Sequence, residues 1–365
     1  MTSPEKMRPG SSCPPAAETR AECLERIAAL KQRLADEVLI LGHHYQQDDI
    51  LAFADHSGDS YALSKAAAAS HQRRVIFCGV HFMAETADML TAEHQAVILP
   101  DLEAGCSMAD MATVEQVRTA WELLTEGGRR SVTPITYINS SAALKAFVGE
   151  HGGAICTSSN AAKVVAWALG RSERLFFCPD QHLGRNTCHA LGIPLGRMAV
   201  YDPRLPGGGL EPAQLDKTQI FLWYGYCDVH QGFTLEDVAA VRLEHPEAKV
   251  AVHPECCHEV VAASDFAGST EALIRFVTEA PVGSVIAVGT EINLVQRLTA
   301  RFPGKRVFSL SPYQCLCSTM YRIKPERLLE ALEAIAAGEP KNLVSVPREL
   351  RRPALLALER MLAIS

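Results

Sequence analysis

Three cysteines stand at matching places along the chain, each a few residues after a short apolar run. Cys106 follows Val97-Ile98-Leu99-Pro100, Cys227 follows Ile220-Phe221-Leu222-Trp223, and Cys317 follows Val307-Phe308-Ser309-Leu310. If these segments converge, three thiolates converge with them. That soft donor set suits an iron–sulfur cluster, with zinc as the rival metal and core packing as the reading without chemistry. Three thiolates on a four-iron cluster would leave one iron open, and an open coordination position makes a metal a Lewis acid. Proton-transfer groups accompany the thiols. Imidazole titrates near neutrality and burial lifts a carboxyl, so His43, Tyr45, His230, His253 and Glu255 form the natural acid–base set. His230, three residues beyond Cys227, reads equally as a group that orients a metal ligand.

The elements that must position these residues recur in order. An apolar run ends in polar rings at Gly42-His43-His44-Tyr45, at Thr136-Tyr137-Ile138-Asn139 and at Val252-His253-Pro254-Glu255. A small-residue turn follows: Asp55 to Ser60, Cys156 to Asn160, Phe266 to Thr270. A further apolar run closes at Gly79, at Pro179 and at Gly289, and then comes the run before each cysteine. From Gly79 to Cys106 is 27 positions and from Gly289 to Cys317 is 28, but from Pro179 to Cys227 is 48. The middle copy therefore carries about twenty extra residues, and the Gly- and Pro-rich stretch 191–212 is expected to be a surface loop. Apolar β-branched runs alternating with helical segments such as 62–69, 161–169 and 270–278 predict a small parallel α/β unit in each copy. In such sheets the strand carboxyl ends face the ligand crevice, so three copies about a pseudo-threefold axis would build one site; three independent units are the alternative.

Together, Pro100-Asp101-Leu102-Glu103-Ala104-Gly105-Cys106, Tyr137-Ile138-Asn139-Ser140, Cys156-Thr157-Ser158-Ser159-Asn160, Pro179-Asp180, Trp223-Tyr224-Gly225-Tyr226-Cys227-Asp228-Val229-His230, His253-Pro254-Glu255-Cys256 and Gly268-Ser269-Thr270 resemble quinolinate synthase, in order from about residue 35 to the C-terminus. The resemblance implies an α/β fold of three pseudo-threefold-related α/β/α sandwich domains with short parallel sheets around a central site. It implies an oxygen-sensitive [4Fe–4S] cluster there, and a step of NAD biosynthesis that condenses iminosuccinate with dihydroxyacetone phosphate to quinolinate, phosphate and water. An L-aspartate oxidase or dehydrogenase is the implied functional partner. The family's cluster ligands fall on Cys106, Cys227 and Cys317; the last is chosen over Cys315 because the family's ligand is followed by two residues and a Met, here Met320. Some members carry Cys-x-x-Cys-x-x-Cys at this point and this chain does not. Dicarboxylate-binding positions fall on His43, Ser60, Tyr137, Ile138, Asn139, Ser158, His253, Pro254, Glu255, Ser269 and Thr270. Tyr45, His230, His253 and Glu255 take the catalytic positions. The hydroxyls also read as plain helix N-caps, but their recurrence in three copies favours an anion cradle. An aconitase-like hydro-lyase and a non-enzymatic iron–sulfur sensor compete; the first lacks this motif order and the second has no use for the Tyr/His/Glu set.

The expected organisation is an N-terminal tail and helix (1–34), a first repeat (35–110), a second with its insertion (111–227), a third (228–317) and a C-terminal helical segment packing on the core (318–365). Leu24, Ile27, Leu30 and Leu34 would form the inner face of the first helix, and Leu350, Leu355, Leu358 and Met361 that of the last. Composition bounds the partners. Lys and Arg number 35 against 42 Asp and Glu, a net charge of -7, which gives no electrostatic basis for binding nucleic acid. No stretch approaches eighteen uninterrupted apolar residues and the N-terminus has no apolar leader, so a cytoplasmic protein without membrane association is expected. Twelve cysteines in a reducing compartment point to metal or catalytic thiols rather than disulfides, with Cys78, Cys156 and Cys178 as core residues.

Overall fold

In the computed structural model, which describes residues 19–313 and 316–364, three separate sheets arise from successive stretches of the chain. The first contains β1 (Val38–His43), β2 (His56–Gly58), β3 (Arg74–Cys78) and β4 (Ala96–Ile98). The second contains β5 (Val132–Tyr137), β6 (Ala154–Cys156), β7 (Arg174–Cys178), β8 (Met198–Tyr201) and β9 (Ile220–Trp223). The third contains β10 (Lys249–Val252), β11 (Phe266–Ala267), β12 (Val285–Gly289) and β13 (Arg306–Ser309). Their strand orders are β2-β1-β3-β4, β6-β5-β7-β9 and β11-β10-β12-β13, so one topology is used three times. All these pairings are parallel. Parallel sheets are covered on both faces, which explains why the strands are apolar throughout rather than alternating; all six residues of β1 are buried.

Two additions decorate this plan. β8 lies within the stretch 191–212 and pairs with β9 from Met198↔Ile220 to Tyr201↔Trp223, so the insertion extends the second sheet. The surface-loop expectation is corrected there: four residues, Met-Ala-Val-Tyr, are too short to stand out as a strand, and the edge of an existing sheet supplies their order. A last strand, β14 (Leu343–Val344), joins the first sheet antiparallel to β4.

The helix Arg20–Arg33 is closed by a capping box from Thr19 and Glu22 and buries Cys23 and Ile27. The helix Arg348–Ile364 buries Ala354, Ala357, Leu358 and Met361. Of its expected inner face, Leu358 and Met361 are buried while Leu350 and Leu355 are only half-buried. Small residues take that contact because backbone meets backbone: a Cβ on Gly149 would sit 1.8 Å from the Pro353 carbonyl oxygen. Cys78, Cys156 and Cys178 lie in the core. Among the described residues no helix is long and apolar enough to cross a membrane.

Candidate active site

The first strand of each sheet ends in a ring at the same point: His43 closes β1, Tyr137 closes β5, and His253 follows β10 directly. Two residues later stand Tyr45, Asn139 and Glu255. The second strand of each sheet leads to a turn and a helix, and these helices span Ser60–Ala69, Ala161–Leu169 and Thr270–Glu279. Repetition of the topology therefore repeats the polar positions, and all of them face one cavity.

That cavity is lined from all three sheets. It brings together His43, Tyr45, Ser60, Cys106, Tyr137, Ile138, Asn139, Ser158, Cys227, His230, His253, Glu255, Thr270 and Cys317. Two expected positions stay outside its lining. Ser269 caps the helix Thr270–Glu279, its hydroxyl accepting from the Ala272 N–H at 3.3 Å, and the Pro254 carbonyl accepts from Asn186 Nδ2 at 2.9 Å. Val80, Phe82, Met83 and Asp59 also line the cavity, and nothing in their types or spacing marks them in the sequence.

The polar groups form one connected set. Glu255 accepts from the Tyr137 hydroxyl at 2.7 Å on Oε1 and pairs with His230 Nδ1 at 2.8 Å on Oε2. The other nitrogen of His230 meets the Thr290 hydroxyl at 3.1 Å, and Thr290 meets the Tyr45 hydroxyl at 2.8 Å. Tyr45 also hydrogen-bonds Thr270 at 3.1 Å. Thr290, which the sequence reading missed, thus joins the acid–base groups. It follows the third strand of its sheet, where the other two copies carry Gly79 and Pro179, so no recurring hydroxyl signals it.

Electrostatics sort these groups into roles. Burial depresses His43 and His253 to about 3, so both imidazoles are neutral near pH 7. Each accepts a backbone N–H on Nδ1, from Tyr45 at 3.2 Å and from Glu255 at 3.3 Å, which leaves the ring proton on Nε2. Burial works against the Glu255 carboxylate, but the hydrogen bonds from His230 and Tyr137 stabilise the charged form and keep this group ionised. Burial, followed by the Glu255 charge, raises both Tyr45 and Tyr137, so these phenols remain proton donors. Among the described residues the Asn139 side-chain amide oxygen is buried with no partner, and Asn139 lines the cavity.

The thiols carry the marks of metal ligands. Cys106 and Cys227 each precede a single helical turn, Ser107–Asp110 and Asp228–Gln231. Backbone N–H groups are aimed at all three sulfurs: from Ala109 and Met108 at Cys106, from His230 at Cys227, and from Met320 and Thr319 at Cys317. Such donors stabilise thiolate ligands, yet burial, the largest cause, still leaves the Cys106 thiol pushed up to about 12. Among the described residues, the donor atoms drawn within 4.8 Å of one another are those of Cys227, His230 and Glu255 rather than the three thiols. A single zinc bound by three sulfurs at about 2.3 Å each would need those sulfurs closer together. Three thiolates with N–H support are a soft donor set that fits an iron–sulfur cluster. Cys315 lies outside the described residues.

Comparison with known proteins agrees with this geometry. The family model described as quinolinate synthetase A protein matches residues 25–363. The chain belongs to the quinolinate synthetase A family. It is 51% identical over 339 residues to a quinolinate synthase of Bacillus anthracis, covering 93% of this chain and 92% of that protein. Quinolinate synthases of Bacillus cereus and Bacillus thuringiensis are 50% identical over the same spans. Family membership covers all three sheets and every residue of the cavity, and it reaches the C-terminal helix that packs on the second sheet's first helix, Ala142–Glu150.

Proposed function

We propose that the chain is a quinolinate synthase that condenses iminosuccinate with dihydroxyacetone phosphate, releasing phosphate and water, in NAD biosynthesis. The observation that carries this reading is the convergence of Cys106, Cys227 and Cys317, one from each sheet, on the cavity that also holds the Tyr/His/Glu set. Cys106, Cys227 and Cys317 would hold a [4Fe–4S] cluster, which when bound supplies a Lewis acid for a substrate oxygen.

The chain's own groups account for binding and proton traffic. Ser60 and Thr270 open two helices and Ser158 lies in the turn just before a third, where backbone N–H groups and the helix dipole favour anions; they bind the substrate's charged ends. The Nε2–H groups of neutral His43 and His253 add donors without adding charge. Asn139 orients a substrate donor through its free amide oxygen. Glu255 is the base: its carboxylate takes a proton from the substrate chain, and Tyr137 and His230 stabilise its charge before transfer. Tyr45 is the acid, delivering its phenolic proton to a leaving oxygen and recovering it through Thr290 and His230. Iminosuccinate is a reactive imine of an oxidised amino acid, so an L-aspartate oxidase or dehydrogenase must supply it. The reaction needs no nucleic acid and no membrane surface, and a cytoplasmic setting fits a cluster that oxygen destroys.

The test is anaerobic purification with iron and sulfide analysis, followed by assay of quinolinate from the two substrates. Close to four irons and four sulfides per chain with quinolinate formed is the expected outcome. A colourless protein holding stoichiometric zinc would overturn the reading.

A further inference from the structure

The loops that carry the catalytic groups are held by helices of a neighbouring unit rather than their own. The helix Ile292–Arg301 follows β12 of the third sheet, yet its Arg297 reaches the loop after β1 of the first. Arg297 donates to the carbonyls of His44 at 2.7 Å and Gln46 at 2.6 Å, the two residues flanking Tyr45, and pairs with Asp48 at 2.5 Å. Asn293 on the same helix donates to the Tyr45 carbonyl at 3.2 Å. Three successive carbonyls around Tyr45 are thus held from across the boundary between units.

The same device recurs around Glu255. The helix Gln181–Ala190 follows β7 of the second sheet, and its Asn186 Nδ2 donates to the carbonyls of Pro254 and Cys256, each at 2.9 Å, which flank Glu255 in the third unit. His258 Nδ1 holds the Asn186 amide oxygen at 2.8 Å, which fixes the amide for this double contact. Counted from the last residue of the preceding strand, Cys178 or Gly289, Asn186 and Arg297 both stand at the eighth position. The remaining boundary has a lesser version: Glu85, on the helix His81–Leu90 after β3, accepts from the Ala142 N–H at 3.0 Å just past Asn139. First braces second, second braces third, and third braces first.

We propose that Asn186 and Arg297 are positioning residues of a closed ring of braces, placing Glu255 and Tyr45 so that the acid–base set is assembled only when all three units are seated together. Neither side chain lines the cavity, so each acts through the residue it flanks. The roles of Tyr45 and Glu255 rest on the function proposed above; the bracing does not. Displacement of a reacting group by about 1 Å costs on the order of a hundredfold in rate, so a brace of this kind is felt in turnover before it is felt in folding.

The test uses the anaerobically purified, cluster-loaded chain. Arg297→Met and Asn186→Leu are each expected to lower kcat by about 10- to 100-fold with less than about threefold change in KM. In a Tyr45→Phe background Arg297→Met should cost less than about twofold further, and Asn186→Leu likewise in Glu255→Gln, because a brace with nothing left to position has nothing to lose. Hydrogen exchange reads the geometry without any assay. Arg297→Met should speed exchange about tenfold in residues 43–48, and Asn186→Leu in residues 253–257, each leaving the other loop unchanged. Should either variant lose its cooperative unfolding transition, Arg297→Lys and Asn186→Ser are held to the same criteria. Multiplicative losses in the double variants, or faster exchange confined to the substituted helix, would overturn the ring. A wild-type chain that makes no quinolinate would overturn the proposed function while the exchange experiment still decides the bracing.

Discussion

The Tyr137 hydroxyl donates to Glu255 across the boundary between the second and third sheets, at 2.7 Å, in a setting where both side chains are buried. A buried carboxylate is tolerated only when its lone pairs are occupied, and here a phenol takes one oxygen and an imidazole the other. The charge that the proposed chemistry needs is therefore held by partners that arrive from elsewhere in the chain.

Glu255→Gln should consequently retain the cluster and lose turnover by about 10²- to 10⁴-fold, since the amide keeps shape and hydrogen bonding but cannot take a proton. Tyr137→Phe removes one donor and leaves the carboxylate, so its loss should be smaller, about tenfold. Visible absorption and quinolinate formation, measured side by side, separate cluster content from chemistry. Near-normal turnover by Glu255→Gln would reduce this residue to a structural one.

The three thiols are expected to be individually necessary. Cys106→Ser, Cys227→Ser and Cys317→Ser should each purify without oxygen at well under the wild-type iron and sulfide content, because each sulfur reaches the cavity from a different unit. Cys315→Ser should keep its full complement. A complete cluster in Cys227→Ser would sink the three-ligand arrangement.

The repeat was legible because parallel strands buried on both faces leave uninterrupted apolar runs, and because chemistry at a strand's end follows its last apolar residue. Types and spacing reached the three thiols and the Tyr/His/Glu set, and the resemblance to a known family added the remaining expected positions; 14 of all these line the cavity. What stayed hidden depends on how units meet. Thr290 joins Tyr45 to His230, and Asn186 and Arg297 grip loops of other units, but each looks like an ordinary residue at the start or on one face of an amphipathic helix. The inner face of the C-terminal helix misled for a similar reason: apolar periodicity favours large residues, whereas close approach to Gly149 selects Ala354 and Ala357. The first half of the expected N-terminal tail, residues 1–18, lies outside the described residues.

Stability should fall as the pH is lowered from 7 to 5, and His43 supplies part of the reason. Burial of its imidazole pushes it down to about 3 in the folded chain, from an ordinary 6.5. Between those values the unfolded chain takes up a proton that the folded chain refuses, so acid favours unfolding across this window and the contribution of His43 is intact only above about 6.5. From pH 7 to pH 5 one such group costs about 2 kcal/mol. His43→Asn removes the titration while Asn Oδ1 can still accept the Tyr45 N–H that Nδ1 now accepts. Urea unfolding of the two proteins at pH 7, 6 and 5, prepared identically, should give a gap that narrows by up to this amount as the pH falls, with other carboxyls and imidazoles cancelling in the difference. Parallel curves would mean that His43 takes up its proton as readily in the folded chain as in the unfolded one, and the depression of its pKa by burial would be overturned.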